Sequence, residues 1–380
     1  MLKRLIVIMA VFALVTGVAF AQVTFGGQMQ MGSMLFSGNN VKDNDVLFGG
    51  NYNGAYPEAK ISMLLGDGTA GGRMVYTFGG GELWGWFQWR PNQYFRLKMG
   101  RDGDGEGGFP QIIGWGFTGE AKNSVAAVSD YQGGLYMAYR NSGLNYGAFD
   151  GIGAFNLQFS VFPVDLLQVN FLFRDIDKPG PIEDKLATMQ IYASYMIEEV
   201  GTARVAIVGN GGIANGEGNG ATVHLAFHSS QLVQGLAFEL GGQVNVPYKA
   251  KKDNENLEMG AIKIAGGVNL TMFDPFAVKV RFGTEFGGLK NGETIEKTGF
   301  SLGILPSYKL PKFTVFFHAG IGLEKADKDA EQQFEWFINP YIWMPLGGMR
   351  MWVGIQLVDE RSKHEGQFAW KVPFGFNFYF

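Results

Sequence analysis

FAWKVPFGFNFYF, residues 368–380, places a large apolar side chain at every second position: Phe368, Trp370, Val372, Phe374, Phe376, Phe378 and Phe380. Ala369, Lys371, Pro373, Gly375, Asn377 and Tyr379 take the alternate positions. Side chains of a strand alternate between faces, so this stretch is a β-strand with one continuous aromatic face. In water such a face at the end of a chain is an aggregation hazard; in hydrocarbon it is an ordinary surface.

The same period of two recurs upstream in stretches of about ten residues. Val23, Phe25, Gly27, Met29 and Met31 oppose Thr24, Gly26, Gln28 and Gln30. Phe95, Leu97 and Met99 oppose Arg96 and Lys98; Phe155, Leu157, Phe159 and Val161 oppose Asn156, Gln158 and Ser160. Leu167, Val169, Phe171 and Phe173 oppose Gln168, Asn170 and Arg174, and Phe276, Val278, Val280 and Phe282 oppose Ala277, Lys279 and Arg281. Further segments fall near 56–64, 72–78, 82–90, 134–140, 188–198, 202–208, 220–228, 234–246, 259–271, 298–304, 312–322, 334–343 and 349–358. Phe162–Asp165, Met272–Pro275 and Lys309–Lys312 have the composition of tight turns, whereas 39–53, 101–108, 175–185, 249–256 and 324–332 are polar, Gly-rich or charged loops that rarely exceed about fifteen residues. A soluble β-sandwich also alternates, but its strands are typically about five or six residues long. Trp84, Trp86 and Trp89, and Trp336, Tyr341 and Trp343, bunch near strand ends, as interfacial aromatic girdles do.

The beginning of the chain sets the compartment. Lys3 and Arg4 precede an uncharged apolar stretch, Leu5–Phe20, that closes on Ala19, Phe20 and Ala21. This is the pattern of a cleavable secretory signal peptide, with Ala19 and Ala21 at the small-residue positions and cleavage before Gln22. Residues 1–21 are therefore expected to be removed and 22–380 to form one domain. The alternative, an uncleaved anchor, has marginal apolar length. Without Lys3 and Arg4, the 31 Lys plus Arg of the chain fall to 29 against 35 Asp plus Glu, which leaves a mildly acidic protein. No basic stripe is present, so nucleic acid is not an expected partner. The absence of cysteine excludes disulfides and thiol chemistry. After the leader, the longest uncharged stretches, 22–41 and 218–238, are interrupted throughout by Gly, Gln, Asn, Ser or His, so neither is a continuous apolar span for a helix and a membrane role requires a closed barrel.

The leader, the repeated alternation and the residues Phe374, Phe376, Phe378 and Phe380 resemble the Gram-negative outer-membrane β-barrel (porin-like) families, whose last strand ends in an aromatic residue, usually Phe, after alternate apolar positions. The likeness to spirochaete outer-membrane proteins is fainter. The resemblance implies residence in the bacterial outer membrane, in contact with its lipid, after signal-peptide-dependent export, and reading of the final strand by the barrel assembly machinery. The expected fold is all-β, a transmembrane antiparallel up-and-down barrel of about 16 strands, within a range of 14 to 20, at roughly 20 to 24 residues per strand and connection.

If the apolar phase faces lipid, the polar phase faces the lumen. Lys60, Arg73, Arg90, Arg96, Lys98, Arg140, Arg174, Arg204, Lys263, Lys279, Arg281, Arg350 and Lys371 share that phase with Glu58, Glu82, Glu239, Glu285 and Glu335. Of these, Arg96, Lys98, Arg140, Arg174, Lys263, Lys279, Arg281 and Arg350 are the candidate pore-lining residues. An excess of cations would favour anions through the pore; pairing with the glutamates and loop carboxylates would cancel the preference. Asp102, Asp104 and Glu106 alternate as in a small Ca²⁺ loop but lack the distal bidentate Glu, and read better as a solvated loop. His224 and His228 stand roughly 13 Å apart on one strand face, too far to share an ion, so no metal site and no cofactor is expected. No G-x-S-x-G elbow is present, and no enzyme is expected. The function that follows is a passive channel for small hydrophilic solutes. A transporter for hydrophobic compounds is kept open by Trp84, Trp86, Tyr136 and Trp352 on the polar phase, and an adhesin on a barrel mount would need longer loops. A homo-oligomer is compatible with all three.

Overall fold

The computed structural model describes residues 21–39, 46–47, 58–65, 69–77, 82–100, 156–173, 176, 179–180, 182, 186, 189–209, 220–247, 258–259, 262–287, 289–290, 293–294, 296, 298–325, 329–359 and 368–379. Among them, eighteen wall strands follow in chain order: β1 (Ala21–Asn39), β2 (Glu58–Leu65), β3 (Ala70–Thr77), β4 (Glu82–Asn92), β5 (Phe95–Gly100), β6 (Asn156–Val161), β7 (Leu167–Phe173), β8 (Gln190–Ile197), β9 (Gly201–Gly209), β10 (Gly220–Val233), β11 (Leu236–Pro247), β12 (Ile262–Phe273), β13 (Phe276–Phe286), β14 (Thr298–Lys309), β15 (Thr314–Lys325), β16 (Gln333–Leu346), β17 (Met349–Gly354 and Gln356–Asp359, broken at Ile355) and β18 (Phe368–Tyr379). A two-residue ribbon, Val46–Leu47, pairs with β1, and three more short ribbons form a separate small sheet.

Each strand pairs antiparallel with its neighbours in sequence, and the sheet closes on itself. Ala21–Gln28 of β1 align with Leu65–Glu58 of β2, while Gln28–Asn39 align with Tyr379–Ala369 of β18, with one register shift between Met34 and Phe36. Closure leaves no strand edge in the wall, which is the condition for a sheet to exist in hydrocarbon, where an unpaired backbone group has no water to bond. The architecture is a transmembrane up-and-down barrel of eighteen strands among the described residues, within the expected range of 14 to 20 around a figure of about 16.

Connections alternate between two rims. On one rim, Gln93–Tyr94, 162–166, 198–200, 234–235, Asp274–Pro275, 310–313 and Gly347–Gly348 join strands directly. Leu346 aligns with Met349 around Gly347, whose φ of 64° is the left-handed value that a two-residue hairpin turn requires. Connections on the other rim are longer, apart from 78–81. The span 101–155 corrects the expectation that loops rarely exceed about fifteen residues: β5 and β6 are direct neighbours, Gly100 aligning with Asn156, so 55 residues join adjacent strands there.

Polarity is inverted relative to a water-soluble protein. Outward side chains are large, apolar and exposed, including Leu225 at 61%, Leu240 at 51% and Phe286 at 48%. Lys98, Gln158, Ser160 and Asn170 on the inward face are 0% exposed. A folded chain in water would reverse that assignment, whereas in lipid the outer band is the buried one. The girdle expected from Trp84, Trp86, Trp89, Trp336, Tyr341 and Trp343 needs correction. Trp86, Tyr341 and Trp343 occupy the inward phase, because they alternate with Phe87, Ile342 and Met344, and clustering in sequence does not decide the face.

The inner wall also carries apolar packing. Gly320 lies beneath the Phe337 ring, and a Cβ there would stand 2.5 Å from Phe337 Cε1. The ring therefore covers backbone that the glycine leaves bare. Gly320→Val is expected to displace Phe337 and destabilise the barrel by about 1–3 kcal/mol, read as a lower urea midpoint of the heat-modifiable band.

Candidate functional site

The inner face of β4–β8 is a polar ladder built by register. Gln88 aligns with Lys98 and Lys98 with Gln158; Arg96 aligns with Ser160, Ser160 with Asn170 and Asn170 with Tyr192. Gln158 Nε2 donates to Ser160 Oγ at 3.0 Å and to Asn170 Oδ1 at 3.0 Å, and Gln168 Nε2 donates to the same Asn170 oxygen at 2.7 Å. An Arg96 Nη donates to Ser160 Oγ at 3.4 Å. The cations lean on rings: Lys98 Nζ is 4.2 Å from the Trp86 ring centre, and the Arg90 and Arg96 guanidinium carbons are 4.9 and 5.8 Å from that of Phe162. Such contacts stabilise a cation that has lost part of its water.

The candidate pore-lining residues fall out as follows. Arg96 is half-buried, Lys98 buried, Lys279 half-buried and Arg350 exposed, all at inward positions. Lys263 and Arg281 hold inward register positions, Lys263 aligned with Glu285 and Arg281 with Gly267. Arg140 and Arg174 lie outside the described residues, as do Ala19, Tyr136, Phe380 and the acidic residues 102, 104 and 106. Ala21 opens β1, so cleavage before Gln22 would shorten that strand by one residue. Phe374, Phe376 and Phe378 lie on the outward phase of β18, aligned with Val353, Met351 and Met349 of β17. His224 and His228 are both inward on β10, aligned with Ala206 and Thr202. Among the described residues, no three His, Asp or Glu side chains are grouped as a metal would require.

Sequence reading had Trp352 on the inward phase, where it is buried, but missed other apolar inward residues. Val75, Leu172 and Leu305 are buried on the inner face, and Phe316 stacks on Tyr341 at 4.6 Å between centroids and 9° between planes. On β15 and β16 both phases carry apolar residues, Phe316 against Val315 and Phe317, so polarity alone cannot choose the face there. The usable signal was the neighbouring His318, Asn339 and Gly320 on the same phase.

A closed, inverted antiparallel barrel with a polar and aromatic interior defines the class: the fold is that of the bacterial outer-membrane β-barrel proteins. No protein-family model and no curated protein matches the sequence. Solved structures do. OccK10 (OpdN) of Pseudomonas aeruginosa superposes with a TM-score of 0.55 at 9% identity, over 94% of this chain and 98% of that one. OccK1 (OpdK) of the same organism gives 0.53 at 10% identity over 94% and 98%, and OccK11 (OpdR) 0.53 at 10% identity over 94% and 95%.

Proposed function

We propose that this protein is an outer-membrane channel through which small hydrophilic solutes diffuse passively, with a preference for anions. Export with loss of residues 1–21, insertion as one barrel of residues 22–380 and a non-catalytic role belong to the same reading. The observation that carries it is the inward charge pattern. Lys60, Arg73, Arg96, Lys98, Arg204, Lys263, Lys279, Arg281, Arg350 and Lys371 hold inward positions in the registers, with Arg90 on the inward phase of β4 beside the Phe162 ring, against Glu58, Glu82, Glu239, Glu285, Glu324 and Glu335. A lumen wall with that excess lowers the barrier for anions, because the surrounding hydrocarbon focuses the field along the pore. Burial of inward residues on β5–β8 and again on β14–β17 supports a narrow path rather than a wide aqueous one.

The selectivity test is the reversal potential of the refolded barrel in a planar bilayer under a KCl gradient. The wild type is expected to reverse on the chloride side. Arg96→Gln combined with Arg350→Gln is expected to move it toward the unselective value. A cation-side reversal in the wild type, or no shift in the double variant, contradicts the wall-charge reading.

A further inference from the structure

The inward charges are sorted by height in the wall. At the rim of the longer connections, Glu58 and Glu82 open β2 and β4 and flank Thr77, each aligned with it across one strand step. Farther round, Glu285 and Glu324, each next to last in its strand, flank Gly299, and Glu335 is the third residue of β16. Lys60, Lys263 and Lys371 are the inward cations of that half among the described residues. In the half next to the short turns the sign reverses. Arg90, Arg96, Arg204, Lys279 and Arg350 each lie within four residues of a short turn, against Glu239 as the inward carboxylate of that half among the described residues.

Lys279 and Glu285 stand six residues apart on β13, about 20 Å along the strand and about 15 Å along the axis of a barrel whose strands tilt by about 40°. That separation exceeds the Debye length of about 10 Å in 0.1 M salt, so each half of the lumen keeps its own sign. The carboxylates of the short turns, Asp165, Glu198, Glu199 and Asp274, are exposed beyond the strand ends, where water and salt screen them. The half beneath the longer connections therefore concentrates potassium, and the half next to the short turns concentrates chloride. A field that drives both ions toward the boundary between the halves fills it with salt. The opposite field draws both away and depletes it.

We propose that the barrel rectifies, passing more current when the side of the longer connections is positive. At that polarity potassium from the acidic half and chloride from the basic half both move toward the boundary. The inference rests on the channel reading, and one recording separates the two. Gln234 is exposed in a short turn of a chain without cysteine, so Gln234→Cys accepts a single biotin-maleimide label. Streptavidin added to one chamber then perturbs the current only when the short turns face it, which fixes the orientation of each inserted barrel. In symmetric 0.1 M KCl, the current at about 100 mV with the longer connections on the positive side is expected to exceed that at the opposite polarity about twofold, since wall potentials reach several kT. In 1 M KCl, where the Debye length is about 3 Å, the ratio is expected to fall toward one. Glu285→Gln with Glu335→Gln is expected to lower the ratio in 0.1 M KCl, with Glu58→Gln and Glu82→Gln as the second pair should the first not fold. Equal currents at both polarities, the reversed preference, or an asymmetry unchanged in 1 M KCl or in the folded carboxylate variants would each overturn the inference while leaving a conducting channel. No current at either polarity would overturn the channel reading and this inference together.

Discussion

A chain that stops before Phe368 is expected to yield no heat-modifiable barrel under conditions in which the full chain refolds. β18 provides eleven aligned positions for β1 and a further nine for the two halves of β17. Without it, both neighbours become open edges at membrane depth, and each backbone group left unpaired in hydrocarbon costs several kcal/mol. The sum far exceeds the roughly 5–15 kcal/mol of net stability typical of a folded domain. Semi-native electrophoresis of the refolding mixture is the check; a folded band from the truncated chain would mean that β1 closes on another strand. A smaller change, Phe376→Asp, keeps the backbone and is expected to slow or weaken folding without the same total loss.

The second large effect separates the two faces of a single strand. Leu225 on β10 points outward at 61% exposure, and its neighbour Ala226 points inward, aligned with Arg204 and Gly241. Leu225→Arg is expected to destabilise the barrel by about 2–4 kcal/mol when refolded into phosphatidylcholine bilayers, the cost of a cation near the midplane of the lipid face. Ala226→Gln, on the opposite face, is expected to cost under about 1 kcal/mol, because it stays among inward polar groups. Equal tolerance at both positions would contradict the inverted assignment, and a reversed order would indicate a protein folded in water.

Alternation made the wall legible before any coordinates. The segments read near 188–198, 202–208, 220–228, 234–246, 259–271 and 334–343 correspond to β8–β12 and β16 to within a few residues at most ends, because a wall between lipid and lumen imposes two chemistries on alternate side chains. The turns at 162–165, 272–275 and 309–312 were equally plain, since Pro and Asp interrupt the alternation there. Reading failed where the lumen itself is apolar. Phe316, Tyr341 and Trp343 point inward beside outward Phe317, Ile342 and Met344, so both phases look alike and only the register with β15 and β17 separates them. Strand pairing across long connections was also beyond reach: nothing in residues 101–155 announces that Gly100 and Asn156 will be neighbours. The polar ladder was half legible. Arg96 and Lys98 stood out by charge, whereas Gln158, Ser160 and Asn170 gained meaning only once register set them side by side.

Conduction of small hydrophilic solutes by the refolded barrel is tested most directly by single-channel recording of residues 22–380 in a planar bilayer in symmetric KCl. Discrete, stable open steps are expected, small for an eighteen-stranded barrel because the inner wall is so largely covered. A barrel verified by its heat-modifiable mobility that inserts and yet passes no current at any voltage would contradict the channel.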